Sequence, residues 1–344
     1  MTVHELLQSC MQEGNAPGIF FANGIGDAIL ALPTFRALTS LFPDKLTLVA
    51  GDSTPAFLVE RLAWKDIEWI SVRTTLGGKR VDSQANPRPK SLLLSVVPWS
   101  NETLTAMFGR MSVGILVSHF GEGDIQVNFS DQRHAFDSAF DFAAAVQPSL
   151  TIESYSEPLQ FSRKARHFVS ELKKCAGASA LVAVHFETHP KKMLASETER
   201  HILERLARDW PHVQFLLVAA DADNAPRVNQ SNVFVLEAAD LEIAMATVGA
   251  ADAFIGYDSC MLHVADICRV PGIGLFTSTS SGEFGFRFED NCAHLNLSKK
   301  GDSKAAEEIS AAASCVFAAA EINFCQTMRR RNGYRSHGTQ QVRI

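Results

Sequence analysis

The sequence has no Cys-x-x-Cys pair, and its seven cysteines, at positions 10, 175, 260, 268, 292, 315 and 325, form no His-Cys cluster at metal-ligand spacing. An odd, scattered set of thiols argues against a disulfide framework or a zinc module and fits reduced cysteines in a cytosolic protein. No stretch reaches the roughly 18 apolar residues needed to span a bilayer. The N-terminus has acidic residues and no apolar signal core, so the expected location is cytoplasmic, with at most peripheral membrane contact. A formal charge of -6 gives no overall pull toward nucleic acid. The basic cluster Arg329-Arg330-Arg331 reads as part of a solvated tail. There is no fixed short repeat, which excludes a solenoid. No G-x-S-x-G elbow surrounds Ser259 or Cys260, which argues against a serine or cysteine hydrolase.

What is present is apolar: 46% of 344 residues, enough for a large core and most simply for two domains. Short apolar runs alternate with longer amphipathic ones, the pattern of parallel strands joined by crossover helices. In the first half the expected strands are Gly18 to Ala22, Leu46 to Ala50, Ile67 to Ser71, Leu92 to Val97 and Val113 to Val117, with a helix from Asp131 to Val146. Thr74 to Lys90 is polar and rich in glycine and proline, and reads as a long surface loop. A second cycle has strands at Leu181 to His185, Val213 to Val218, Val233 to Leu236, Ala253 to Gly256 and Gly272 to Phe276. Its helices are expected at Ser196 to Asp209, Asp240 to Ala250, Ser259 to Cys268 and Asp302 to about Ile322. The expectation is an α/β protein with two doubly wound domains, 1–160 and 161–322, facing an interdomain cleft, followed by a basic tail at 323–344. In such sheets ligands bind beyond the carboxyl ends of the strands.

Three strand-end segments carry chemistry. The first is Asn23-Gly-Ile-Gly-Asp-Ala-Ile-Leu-Ala-Leu-Pro33, where Gly24 and Gly26 allow a tight turn and close backbone approach to a ligand. The third glycine of a dinucleotide fingerprint would fall at Ile29, so a nicotinamide or flavin cofactor is not supported. Asp27 suits either a helix cap or a general base, and Pro33 implies a kinked or short first helix. The second segment, Ala183-Val-His-Phe-Glu-Thr-His-Pro-Lys-Lys192, offers a hydroxyl at Thr188 and ammonium groups at Lys191 and Lys192, which suit phosphate oxygens or simply a polar loop. His185 and His189 would share a metal only on a helix, and Pro190 argues against one. The third is Asp258-Ser259 at a helix start, with His263 about one turn on; it reads as a cap with a core histidine, or as an anion site facing exposed N–H groups.

Taken together these segments resemble the heptosyltransferase family, glycosyltransferase family 9. The matches are Gly26-Asp27, Pro33 and Arg36-Ala37-Leu38 early, and Asp258-Ser259-Cys260-Met261-Leu262-His263-Val264-Ala265 followed by Val270-Pro271 late. Pro98-Trp99-Ser100-Asn101 and a helix beginning near His134 fall between them, as the family has them. The resemblance implies a GT-B architecture of two Rossmann-like domains, with the acceptor held mainly by the first, a nucleoside diphosphate sugar by the second, and the C-terminal helix crossing back to the first. It also implies an inverting, metal-independent transfer with no cofactor, in which Asp27 is the base. By the same resemblance Thr188, Lys192, Asp221 (or Asp223), Asp258, Ser259 and His263 hold the donor, and Gly24 and Gly26 form the acceptor-side turn. The implied donor is a nucleoside diphosphate sugar, an ADP-sugar among the candidates, with heptose the default and another sugar left open, and the acceptor a lipopolysaccharide-core glycolipid or a smaller hydroxyl compound. The chain departs from the family at Tyr257 for asparagine, Cys260 for glycine, Met193-Leu194 where tryptophan is usual, and Thr277-Ser278-Thr279-Ser280 for Gly-Pro-Thr. Those departures leave two rivals: a nucleotide-sugar epimerase on the same fold, or an inactive GT-B interaction protein.

Overall fold

In the first half, the four residues of Gly18–Phe21 are all buried and form β1, a strand with no polar face, as expected where helices cover both sides of a parallel sheet. The computed structural model describes residues 3–12, 17–43, 46–51, 54–62, 64, 66–75, 78–81, 88–96, 113–119, 123–127, 133–177, 179–221, 225–237, 240–298, 304–320 and 342–343. It divides into two units, Met1–Glu157 and Pro158–Ile344, against an expected boundary at 160.

In the first unit β1 is followed by β2 (Thr47–Gly51), β3 (Asp66–Ile70), β4 (Val72–Thr75), β5 (Gly78–Val81), β6 (Lys90–Ser95), β7 (Val113–Ser118) and β8 (Ile125–Gln126). The main sheet runs β3-β2-β1-β6-β7-β8 with every pairing parallel. With β4 and β5 set aside, this is the 3-2-1-4-5-6 order of a dinucleotide-type sheet, whose winding reverses between β1 and β6. The segment read as an irregular loop is therefore partly structured: β4 and β5 pair antiparallel, Val72 with Val81 and Thr75 with Gly78. Their β-branched residues, Val72, Thr74, Thr75 and Val81, favour strand over coil and were outweighed in the sequence by the surrounding glycines and prolines. Pro98-Trp99-Ser100-Asn101 lies outside the described residues.

Helices α1 (Val3–Gln12), α2 (Ile25–Leu41), α3 (Ala56–Val59) and α4 (Ala135–Val146) accompany this sheet. In α2 the residues from Ala28 to Phe35 are all buried, as are Ala37 and Leu38, so the helix is an axle of the core rather than an amphipathic cover. Phe35 meets Phe21 edge-on at 5.4 Å and Trp64 at 5.8 Å. The helix continues through Pro33, so of the two expectations, kinked or short, the short one is not met. Burial of this apolar run outweighs the missing N–H, which costs about 3 kcal/mol in a helix interior. Arg36 of the Arg-Ala-Leu match has a structural task. Its Nη1 donates to the carbonyls of Tyr155 and Glu157, at 3.1 and 2.5 Å, and so fastens the last turn of the unit to α2.

The second unit repeats the plan with β9 (Leu181–His185), β10 (Gln214–Ala219), β11 (Val233–Glu237), β12 (Ala253–Tyr257), β13 (Gly272–Phe276), β14 (Cys292–Asn296) and β15 (Val342–Arg343). Their order is β14-β13-β12-β9-β10-β11-β15, again parallel throughout, with the reversal between β9 and β12. Its helices are α5 (Arg163–Ala176), α6 (Ser196–Asp209), α7 (Leu241–Gly249), α8 (Cys260–Ile267), α9 (Ser281–Phe284) and α10 (Ala305–Ala319). The last long helix described is α10, which packs within its own unit. Its Ala305, Ile309, Ala313, Val316 and Phe317 are buried in the second unit's own core, with Phe317 edge-on to Trp210 at 5.1 Å. That apolar face packs against α6, β13 and β14. Most of the expected basic tail lies outside the described residues.

Replacing Arg36 with alanine leaves two carbonyls short of a charged donor. Arg36→Ala should lower stability by about 1–3 kcal/mol in urea unfolding, and an unchanged midpoint would show that the tether carries no weight.

Candidate functional site

Both reversal points coincide with the segments that carry chemistry. In the second unit, Glu187 and Thr188 follow β9 while Asp258 and Ser259 follow β12, so they flank the crevice where a doubly wound sheet takes its ligand. The strands approach closely here: a Cβ on Gly256 would stand 2.7 Å from the His185 carbonyl oxygen.

Asp258 is the centre of the group. It is 2% exposed, and a carboxylate so buried requires compensation. Lys192 Nζ supplies the charge at 2.6 Å from Oδ2, and Thr279 Oγ1 donates to the same oxygen at 2.7 Å. His263 Nε2 lies 3.9 Å from Oδ1. Thr188 Oγ1 donates to the Asp258 carbonyl at 2.9 Å, joining the β9 and β12 loops, and Thr277 Oγ1 donates to the Lys192 carbonyl at 2.8 Å, joining β13 to them. The Phe284 ring of α9 closes one side, 5.9 Å from Lys192 Nζ and 6.4 Å between centroids from His263. Lys192 itself sits on a 3-10 turn, Pro190–Lys192, whose amide donates to the His189 carbonyl at 2.7 Å. Its side chain keeps 30% of its exposure, so the ammonium meets solvent while tied to Asp258.

Thr188, Lys192, Asp258 and His263 are thus brought into one cluster. Ser259 caps α8 by position, and its buried Oγ has no hydrogen-bond partner among the described residues. Asp221 lies apart at the end of β10, exposed, its N–H 3.4 Å from Glu187 Oε1. Glu187 also accepts the Ala220 N–H at 2.7 Å, and so shapes the edge between β9 and β10. Asp223 lies outside the described residues. Cys260, in the first turn of α8, is held by burial in its thiol form, its pKa pushed up to about 11, so it supplies neither a nucleophile nor an anion.

The first unit's reversal point holds Asn23, Gly24, Gly26 and Asp27, where β1 leads into α2. Asp27 Oδ2 accepts the Gly24 N–H at 3.2 Å, so the capping alternative is realised. Gly24 has ordinary negative φ, and a Cβ there would meet nothing nearer than Asp27 Oδ2 at 3.9 Å. The fold itself does not demand glycine at this place.

Several contributors were invisible as site residues in the sequence. Thr277 and Thr279 registered only as departures from a family pattern, although hydroxyls flanking a strand end are a usable signal. Asp266, fully buried, accepts the amides of Arg287, Phe288 and Glu289 at 2.9, 2.7 and 3.1 Å and fixes the chain just beyond Phe284. Burial raises its pKa to about 6 against those three N–H bonds. Glu199 on α6 is 2% exposed and accepts from Tyr257 Oη at 2.9 Å, and burial raises its pKa to about 7. Among the described residues no group of three or more His, Cys, Asp or Glu is placed to hold a metal ion, and no helix is long and apolar enough to cross a membrane.

A family model described as glycosyltransferase family 9 (heptosyltransferase) matches residues 126–313, more than half the chain. Among solved structures, a glycosyl transferase family 9 protein from Veillonella parvula superposes with a TM-score of 0.65 at 14% identity, covering 89% of this chain and 97% of that one. The ADP-heptose lps heptosyltransferase II of E. coli gives 0.63 at 12% identity, with 89% and 99% covered. E. coli heptosyltransferase WaaC with ADP gives 0.60 at 15%, with 86% and 98% covered. At these identities the structures establish the fold, which is GT-B. No curated protein matches the sequence.

Glu199 makes stability depend on pH in a defined direction. Its folded pKa, about 7, lies above the ordinary 4.5, so its contribution is complete below that value and is lost as pH rises through 7. Relative to wild type, Glu199→Gln should therefore gain on the order of 2 kcal/mol between pH 5 and pH 8 in paired thermal melts, whereas parallel curves would mean Glu199 titrates normally.

Proposed function

Because the chain belongs to glycosyltransferase family 9 and is accordingly a glycosyltransferase, we propose that it moves a sugar from a nucleoside diphosphate to an acceptor hydroxyl, with inversion and without a metal. The observation that carries this reading is the Lys192–Asp258–Thr279 group at the reversal point of the second sheet, beside the N-terminus of α8. An ammonium has three donors, and one is given to Asp258. The others, with the first N–H groups of α8 and the hydroxyl of Ser259, suit a diphosphate whose negative charge grows as it leaves. Asp221, beyond β10, is the proposed contact to the ribose, and Thr188 and His263 complete the donor side.

On the acceptor side Asp27 is the proposed base. A hydroxyl oxygen attacks the anomeric carbon from the face opposite the diphosphate, its proton passes to the Asp27 carboxylate, and the bond to the diphosphate oxygen breaks with that oxygen keeping the electron pair. The Gly24 N–H bond orients the carboxylate, so cap and base are compatible roles. Gly24 and Gly26 leave room for the acceptor at the turn. ADP as carrier and heptose as sugar are the default, by analogy with the ADP-heptose lps heptosyltransferase II and the ADP-bound WaaC of E. coli. The acceptor is then a lipopolysaccharide-core glycolipid or a smaller hydroxyl compound, met in the cytoplasm or at a membrane surface.

The two roles of Asp27 separate by substitution. Asp27→Asn keeps an oxygen for the Gly24 N–H and loses the basic carboxylate. It should melt like wild type, bind donor like wild type and transfer about 10²–10⁴-fold more slowly. Transfer within a few-fold of wild type would remove Asp27 from the chemistry.

A further inference from the structure

Lys192 carries the charge on which the proposed function depends, and the turn that bears it is fastened from two sides. On the solvent side its ammonium meets Asp258 at 2.6 Å, and its carbonyl accepts from Thr277 Oγ1 at 2.8 Å. On the core side, two residues on, the Leu194 N–H donates to Tyr257 Oη at 3.0 Å, and that hydroxyl donates onward to Glu199 Oε1 at 2.9 Å. All three are buried: Tyr257 at 0%, Glu199 at 2% and Leu194 at 6% exposure. The relay thus runs from the Leu194 amide, which only donates, through the Tyr257 hydroxyl to Glu199. Tyr257 is also the residue immediately before Asp258 on β12, so one short stretch of chain grips the lysine turn from below and its ammonium from above. The Tyr257 ring, 5.6 Å from Phe186 between centroids, fills the space beneath the loop.

We infer that Tyr257, with Glu199 as its acceptor, is a positioning residue that sets the Lys192 turn for a diphosphate. The inference rests on the reading of Lys192 as the diphosphate contact. It turns two departures from the family pattern, Tyr257 and Leu194, into one coupled arrangement joined by the Leu194 N–H bond. It also accounts for a buried carboxylate in the first turns of α6 that the chemistry does not use.

The test has one arm without ligand and one with it. Amine acylation under limiting reagent, quantified by peptide mass spectrometry, reads how tightly Lys192 is held. Tyr257→Phe should raise the Lys192 rate about fivefold, the factor a single lost hydrogen bond is worth, with the other lysines unchanged. Glu199→Leu, which removes the acceptor from the far end, should act in the same direction and keeps the idea testable if Tyr257→Phe does not fold. Glu199→Gln retains an accepting oxygen and should lie closer to wild type than Glu199→Leu. In the ligand arm, ADP affinity should fall about fivefold for Tyr257→Phe alone and not at all when the same change is made in Lys192→Ala. A folded Tyr257→Phe with an unchanged Lys192 rate overturns the inference. So does an equal loss of ADP affinity in both backgrounds, which would make Tyr257 a general support of the fold. Should wild type bind no nucleoside diphosphate, the functional reading fails while the labelling arm still decides the positioning.

Discussion

A carboxylate with 2% of its surface exposed imposes conditions on everything around it, and Asp258 is such a group at the point where the second sheet reverses its winding. Left alone it would cost several kcal/mol. The chain answers with an ammonium from the β9 loop and a hydroxyl from the β13 loop on one oxygen, with a histidine of α8 near the other. Meeting that electrostatic requirement draws three strand-end loops to one place. The cluster is therefore held together by the chain's own groups, and fixed dipoles and charges of this kind are what stabilise charge that develops during a reaction.

The two units reach the same strand order with different helices behind the first turn. In the first, α2 is apolar on nearly every side and is swallowed by the core, so its N-terminal turn, with Gly24 and Asp27, stands on a rigid base. In the second, the eight-residue α8 is buried from Met261 to Ile267 and presents its start beside Asp258. Arg36 and Asp266 play similar parts at a distance. Each gathers main-chain groups of a neighbouring segment onto a helix, carbonyls in one case and amides in the other.

Much of this was legible in the sequence, for a physical reason. Buried parallel strands read as continuous apolar runs, and Leu181–His185 and Gly272–Phe276 were bounded correctly from that signal alone. The Lys192 and Asp258 loops were identified as chemical because polar residues directly after such runs have few structural uses. What stayed hidden was tertiary. Nothing local says that Tyr257 turns inward to Glu199, fifty-eight residues away, or that Asp266 faces three amides rather than solvent. At Pro33 a local penalty was outweighed by burial of the whole helix, so the proline did not mark a short one.

Hydrogen exchange with and without nucleoside diphosphate tests the central claim most directly, which is that the reversal point of the second sheet is a diphosphate site centred on Lys192 and Asp258. Saturating ADP, with UDP and GDP in parallel, should slow amide exchange in residues 186–194, 257–263 and 276–281 and leave the amides that begin α2 unchanged. Protection confined to other segments, or none with any of the three nucleotides, would contradict the account.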